Sequence, residues 1–190
     1  MKNIALFASG SGTNVENIIE FFKNDETINI ALILSNNPAA YVLERAKNHK
    51  IPFYVFDRDE FNETDNVLKL LKQRKIDLNV LAGFMWLVPL NIIEFFETRI
   101  VNIHPALLPK YGGKGMYGDY VHKAVIRNGE RESGITIHYV NKVYDEGEVI
   151  FQAKCKVFPE DTPETLAKKI HQLEYDYYPE VIRNLVLSIG

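Results

Sequence analysis

The chain has 190 residues, 46% hydrophobic and 25% charged, with 22 Lys and Arg against 25 Asp and Glu for a formal net charge of -3. That is chain enough for one full hydrophobic core. With no Lys/Arg cluster to track a phosphate backbone, it argues against nucleic acid as the principal partner. A single cysteine, Cys155, excludes an internal disulfide and any CxxC metal or redox motif, and its apolar setting reads as a core thiol. The apolar run Ile4 to Ala8 is too short for a secretory core, and no stretch approaches the roughly 18 apolar residues of a membrane helix. The expectation is one domain over residues 1–190, soluble and cytoplasmic, with no membrane partner.

Residues 3–8, NIALFA, form a compact apolar run that SGSGTN (9–14) breaks, after which Val15, Ile18, Ile19 and Phe22 recur at helical spacing. INIALILS (28–35) is a second apolar strand, the stretch from Ala39 to Lys50 carries Tyr41, Leu43 and Ala46 as a helix, and PFYVF (52–56) gives a short third strand. Val67, Leu68, Leu70 and Leu71 mark one helix from about Phe61 to Arg74. LNVLAG (78–83) is the fourth strand, and a helix near Pro89 to Phe96 leads to IVNIH (100–104). That strand should stop near His104, because Pro105 has no N–H for a ladder. Strands alternating with helices imply a parallel sheet with right-handed crossovers.

The pattern changes after residue 132. SGITIHYV (133–140) and EVIFQAKCKV (148–157) are separated only by NKVYDEG, which leaves no room for a helix and predicts a hairpin-like pair. From Thr162, Pro163 and Glu164 open a helix carrying Leu166, Ile170, Leu173, Tyr177, Ile182 and Val186, either one long element or two bent near Pro179. The fold class expected is α/β: a Rossmann-like open twisted sheet, mostly parallel, with a mixed edge from the C-terminal strand pair and helices on both faces.

In such sheets ligands bind at the carboxyl ends of the strands. The first candidate site is therefore SGSGTN, where exposed N–H groups and the α-helix dipole favour an anion. The third glycine of a dinucleotide fingerprint is replaced by Val15 and no Gly-Lys-Ser/Thr follows, so a single phosphate fits better than NAD or ATP. A plain tight turn, with Thr13 or Asn14 capping the helix, is the structural alternative. Asn102 and His104, delivered to the end of the IVNIH strand, form the second candidate, beside the reading that they merely satisfy a loop. Asp145 in YDEG is the third. It is ordinary turn chemistry unless the strand pair lies beside IVNIH, in which case it approaches His104 and sets its charge. His138 could reach the same place or be a satisfied strand histidine. His49, His122 and His171 show no ligand spacing, so no metal is expected, and Ser9 and Ser11 lie in no G-x-S-x-G elbow.

SGSGTN, LAGFMWLVP (81–89), NIHPALLPKYGG (102–113) and YDEGEVIFQAKCKV (144–157), in this order, resemble the phosphoribosylglycinamide formyltransferase family of purine synthesis over essentially the whole chain. From its length, the expectation is a formyltransferase domain alone, without the additional C-terminal domain of methionyl-tRNA formyltransferase or the additional N-terminal one of formyltetrahydrofolate deformylase. The resemblance implies transfer of a formyl group from 10-formyltetrahydrofolate, as co-substrate, to 5-phosphoribosylglycinamide, by a monomer or homodimer that needs no metal. It assigns Asn102, His104 and Asp145 to the reacting centre, and Gly12, Thr13 and Asn14 to the substrate phosphate. Glu174 falls to the ribose, and Arg58, Met85, Trp86, Leu87, Val88 and Asn102 to the folate. Trp86 stands where many relatives have Arg, and no contact is carried over for the long loop KYGGKGMYGDYVHKAV. Amine attack on the N10-formyl carbon would generate an oxyanion held by Asn102 and a protonated His104, with Asp145 favouring the imidazolium. A hydrolase releasing formate, or a formyltransferase for an amino-sugar nucleotide, is the alternative.

Overall fold

The computed structural model describes residues 1–189. Seven strands, β1 (Lys2–Phe7), β2 (Ile28–Ser35), β3 (Phe53–Val55), β4 (Leu78–Leu81), β5 (Ile100–His104), β6 (Glu132–Tyr139) and β7 (Val149–Lys156), form one sheet in the order β3-β2-β1-β4-β5-β6-β7. β1 to β5 are parallel, whereas β6 runs antiparallel to β5 and β7 antiparallel to β6. The Rossmann-like α/β class with a mixed C-terminal edge is thus the fold observed. The order reverses between β1 and β4, which makes the gap above their carboxyl ends the topological switch point.

Strand alternation divides the core in two. Ile4 and Leu6 of β1 face one layer, with Val15, Ile18 and Phe22 of α1 (Thr13–Phe22) and Ile170, Tyr178 and Ile182 of α7 (Pro163–Ser188). Ala5 and Phe7 face the other, with Phe61 of α3 (Arg58–Glu63), Leu71 of α4 (Asn66–Gln73) and Phe96 of α5 (Leu90–Phe96). Both faces of the sheet are covered, as its near-continuous apolar strands require. Two further helices, α2 (Val42–Asn48) and α6 (Asp119–Arg127), pack on the first layer. Among the described residues no helix is long and apolar enough to cross a membrane.

Three local readings change. The helix expected over 61–74 is two, α3 and α4: Thr64 is extended, and its hydroxyl donates to the Glu60 carbonyl at 2.7 Å and accepts the Asn66 N–H at 3.2 Å. A side chain that takes both backbone partners competes with the helix ladder and ends it. α6 follows the glycines of KYGGKGMYGDYVHKAV, a stretch expected to be a long loop.

The third concerns Pro179. α7 is one continuous helix rather than a bent pair, although Pro179 lies inside it and cannot donate to the Tyr175 carbonyl four residues back. Asn17 of α1 supplies the missing donor, its Nδ2 reaching that carbonyl at 3.0 Å. One residue earlier, the fully buried Tyr178 hydroxyl donates to the Leu81 carbonyl at 2.9 Å, binding α7 under the end of β4.

Candidate active site

A cleft of about 670 Å³ opens over the carboxyl ends of β1, β4 and β5. Its first wall is the loop after β1. Gly12 is the N-cap of α1 in left-handed conformation (φ 69°, ψ 32°), with no side chain capping the helix, so neither Thr13 nor Asn14 plays the capping role considered above. A Cβ at Gly12 would lie 2.5 Å from Val42 Cγ2, so glycine is required by space as well as by φ. The loop is held against α2 by Val42 N–H donating to the Gly10 carbonyl at 3.2 Å and by Arg45 Nε donating to that of Ser11 at 2.8 Å. The uncapped first turn of α1 leaves backbone N–H groups without helical partners, the ordinary makings of an anion site. Behind it, Asn14 Nδ2 donates to Glu174 Oε2 at 2.9 Å, and His171 Nδ1 stands 3.3 Å from the same oxygen.

The second wall is the irregular chain after β4. Ser9 joins it to the first loop, its N–H donating to the Gly83 carbonyl and its Oγ accepting the Met85 N–H, both at 3.0 Å. Met85, Trp86, Leu87 and Val88 all line the cleft. Trp86 packs on Phe56, Phe61 and Phe84, with ring centroids 6.1 to 6.5 Å apart. Arg58 is absent from the cleft lining; its guanidinium sits over the Trp86 ring, 5.2 Å from the centroid.

Between these walls the end of β5 meets the edge pair. Thr136 of β6 clamps the turn after His104: its hydroxyl donates to the Ala106 carbonyl at 2.7 Å and accepts the Leu108 N–H at 3.0 Å. His104, 3% exposed, has Nε2 2.7 Å from the Tyr111 carbonyl. A carbonyl only accepts, so Nε2 carries the proton and Nδ1 is left facing Asp145 Oδ2 at 3.4 Å. Asp145 adopts a left-handed φ of 57°, and its Oδ2 accepts the Gly113 N–H at 2.9 Å. A Cβ on Gly147 would fall 1.6 Å from the Tyr139 carbonyl oxygen, so the YDEG loop closes on β6 only through glycine.

Strand pairing sets His138 opposite Asn102, with Asn102 Nδ2 3.1 Å from His138 Nε2; that nitrogen lies 3.6 Å from Asp145 Oδ1. His138 therefore does reach the site, the first of the two possibilities the strand pattern left open. The antiparallel register was the signal that could have decided it. His122, on the buried face of α6 and 3% exposed, also lines the cleft, with Nδ1 enclosed and unpartnered.

Burial holds the His104 imidazole below the ordinary histidine range, against the opposing pull of Asp145 and the Tyr111 carbonyl. Burial pushes the Asp145 carboxyl upward, but His138, His104 and the Gly113 N–H outweigh it and hold the group below the usual carboxylate range. In the coupled pair Asp145 is the member that keeps its charge at neutral pH, and the resting His104 is neutral. The expected resting imidazolium is corrected accordingly, because the sequence showed the neighbouring carboxylate but not the depth of burial.

Among the described residues one group, Glu16, Glu20 and His49, gathers metal-ligand atoms that their sequence spacing did not reveal. It lies outside the cleft lining, and Glu16 is already paired with Arg45 at 2.9 Å.

The formyl transferase family model matches residues 2–182. The phosphoribosylglycinamide formyltransferase of Haemophilus influenzae is 39% identical over 96% of this chain and 86% of its own length, and that of Bacillus subtilis 34% identical over 98% and 95%. The chloroplastic enzyme of Arabidopsis thaliana is 39% identical, and the chain spans 64% of its length. The crystal structure of the phosphoribosylglycinamide formyltransferase of Bacillus halodurans superposes with a TM-score of 0.88 at 38% identity, covering 100% of this chain and 97% of that one. With this fold and a family match over nearly all of its length, the chain belongs to the formyl transferase family.

Proposed function

We propose that the chain transfers the formyl group of 10-formyltetrahydrofolate to the amine of 5-phosphoribosylglycinamide, a step of de novo purine synthesis. The observation that carries this reading is the convergence of Asn102, His104 and Asp145 between a glycine-capped helix start and an aromatic-backed wall. Relatives matching most of the chain carry the name of that activity.

The substrate phosphate is assigned to the backbone of Gly12, Thr13 and Asn14, where the open first turn of α1 favours an anion. Glu174, braced by Asn14 and His171, faces the ribose. The folate heterocycle lies along Met85 to Val88, with Trp86 and its aromatic neighbours as backing. Arg58 serves by bracing Trp86 from outside the cleft.

The bond that forms is amine nitrogen to formyl carbon; the bond that breaks is N10 to that carbon, and one proton passes from the amine to N10. His104, neutral at rest with Nδ1 bare, accepts the proton as the amine attacks, and Asp145 stabilises the imidazolium so formed. Asn102 then donates to the oxyanion from a rigid strand end, while the charged His104 returns the proton towards N10.

Purified protein given 10-formyltetrahydrofolate with either 5-phosphoribosylglycinamide or an amino-sugar nucleotide tests the acceptor. Turnover should require 5-phosphoribosylglycinamide. Faster formylation of the sugar nucleotide would overturn the reading.

A further inference from the structure

We infer that Arg45 is a positioning residue for the acceptor phosphate, which acts from outside the cleft by holding the Ser11–Gly12 peptide so that the Gly12 N–H points into it. The inference rests on the reading of the loop after β1 as the phosphate site, and adds what sets the direction of that loop's donors.

A trans peptide is planar, with its C=O and its N–H directed to opposite sides. Where the carbonyls of a loop are tied therefore decides where its N–H groups point. Two successive carbonyls of this loop are tied to α2: Val42 N–H donates to that of Gly10 at 3.2 Å, and Arg45 Nε to that of Ser11 at 2.8 Å. The N–H groups of Ser11 and Gly12 are consequently turned away from α2, and both residues line the cleft. Neither N–H has an acceptor among the described residues, although Gly12 is buried. Successive N–H groups gathered on one side of a turn that passes into the left-handed region make an anion-binding concavity. Gly12, at φ 69°, supplies that turn. Of the two ties, the one at Gly10 comes from helix backbone, and the one at Ser11 depends on a side chain.

Arg45 is held in place by its own neighbours. Its Nη1 donates to Glu16 Oε2 at 2.9 Å, and its guanidinium lies over the Tyr41 ring, 5.1 Å from the centroid. Glu16 Oε1 in turn stands 2.8 Å from His49 Nε2, and the His49 N–H donates to the Arg45 carbonyl at 3.0 Å. Glu16 belongs to α1, so one planar guanidinium joins the loop before that helix to the helix itself, serving both acceptors at once. Arg45 is absent from the cleft lining, and the Glu16 carboxylate offsets its charge at close range. What it gives the phosphate is the direction of a peptide rather than a charge.

The test joins a substrate-free and a kinetic measurement. Ribose 5-phosphate added to ¹⁵N-labelled protein should move the Gly12 amide proton downfield, and should bind on the order of tenfold more weakly to Arg45→Met, which fills similar space without a donor. In steady-state kinetics Arg45→Met should lose on the order of tenfold in kcat/KM for 5-phosphoribosylglycinamide through KM, with kcat at saturation and the KM for 10-formyltetrahydrofolate within a few-fold. With ribosylglycinamide, the acceptor without its phosphate, kcat/KM should be nearly the same in parent and variant. Arg45→Lys, which keeps a donor but not the planar fork, should lose less than Arg45→Met and show the same selectivity for the phosphate. An arginine that only glues α1 to α2 would cost both acceptors alike, and that result would overturn the inference. So would an unmoved Gly12 amide in the parent, or full ribose 5-phosphate affinity in Arg45→Met. If Arg45→Met does not fold, the amide shift and the selectivity of Arg45→Lys still decide. A protein inactive on 5-phosphoribosylglycinamide whose Gly12 amide answers ribose 5-phosphate in an Arg45-dependent way would refute the substrate assignment and leave the role of Arg45 standing.

Discussion

Asp145 Oδ2 stands 3.4 Å from His104 Nδ1 and accepts the Gly113 N–H at 2.9 Å, so one carboxylate oxygen ties His104 to the long loop after β5. Asp145 raises the His104 pKa while burial lowers it, and burial prevails. Asp145→Asn removes the raising partner and should move the His104 ring titration to still lower pH. Activity should fall by roughly 10²- to 10⁴-fold, the range for positioned acid–base catalysis. NMR titration of both proteins checks the shift, with histidine-to-glutamine variants assigning the signal. An unmoved titration would separate the two residues.

Stability should fall on mild acidification for a related reason. His104 and His122 are both held below the ordinary value of 6.5 by burial. Below that pH the unfolded chain binds protons that the folded chain refuses, so each histidine contributes stability present above 6.5 and lost as pH falls below it. His171, raised by its hydrogen bond to Glu174, acts in the opposite sense. Urea unfolding between about pH 7 and about pH 5.5 should show a shallower loss in His122→Gln than in the parent, by up to about 1.4 kcal/mol per pH unit. Equal slopes would mean that His122 is not a buried neutral group.

Gly12→Val adds a branched side chain at a φ of 69°, where even a Cβ lies 2.5 Å from Val42 Cγ2. The helix start must move. Acceptor affinity should drop at least tenfold in calorimetry while folate affinity holds, because the wall after β4 is untouched. Equal weakening of both ligands in a folded variant would show that the loop is no dedicated phosphate site.

Asn17→Leu leaves the Tyr175 carbonyl, which Pro179 already deprives of its helical donor, without the Asn17 hydrogen bond. The half-buried site sets the loss at about 1 kcal/mol in chemical denaturation. Pro179→Ala restores a backbone N–H at that carbonyl, so in its background the Asn17 substitution should cost measurably less. Equal costs in the two backgrounds would show that Asn17 does not compensate for the proline.

Much of this architecture was legible because strand and helix periods are local. β5 ends at His104 because Pro105 cannot extend it, and the hairpin after residue 132 follows from a connection too short for a helix. The resemblance of the motifs already named Asn102, His104 and Asp145, and the fold brings them together. What escaped depends on contacts across the chain. The neutrality of resting His104 depends on how deeply it is buried, which no run of residues encodes. His138 became a partner of Asn102 only through the register of β5 with β6. α6 lay hidden because the glycines before it mask its period, and Arg58 stops at Trp86 because α3 follows the edge strand β3, which β2 separates from the strands under the cleft.

The measurement that bears most directly on the central claim is the fate of the formyl carbon. With ¹³C-formyl-labelled 10-formyltetrahydrofolate and excess 5-phosphoribosylglycinamide, each tetrahydrofolate released should be matched by one formylated acceptor, with formate at the level of the uncatalysed control. His104→Ala should suppress both products together. Formate released in step with tetrahydrofolate, with no label on the acceptor amine, would contradict direct transfer and make the cleft that of a hydrolase.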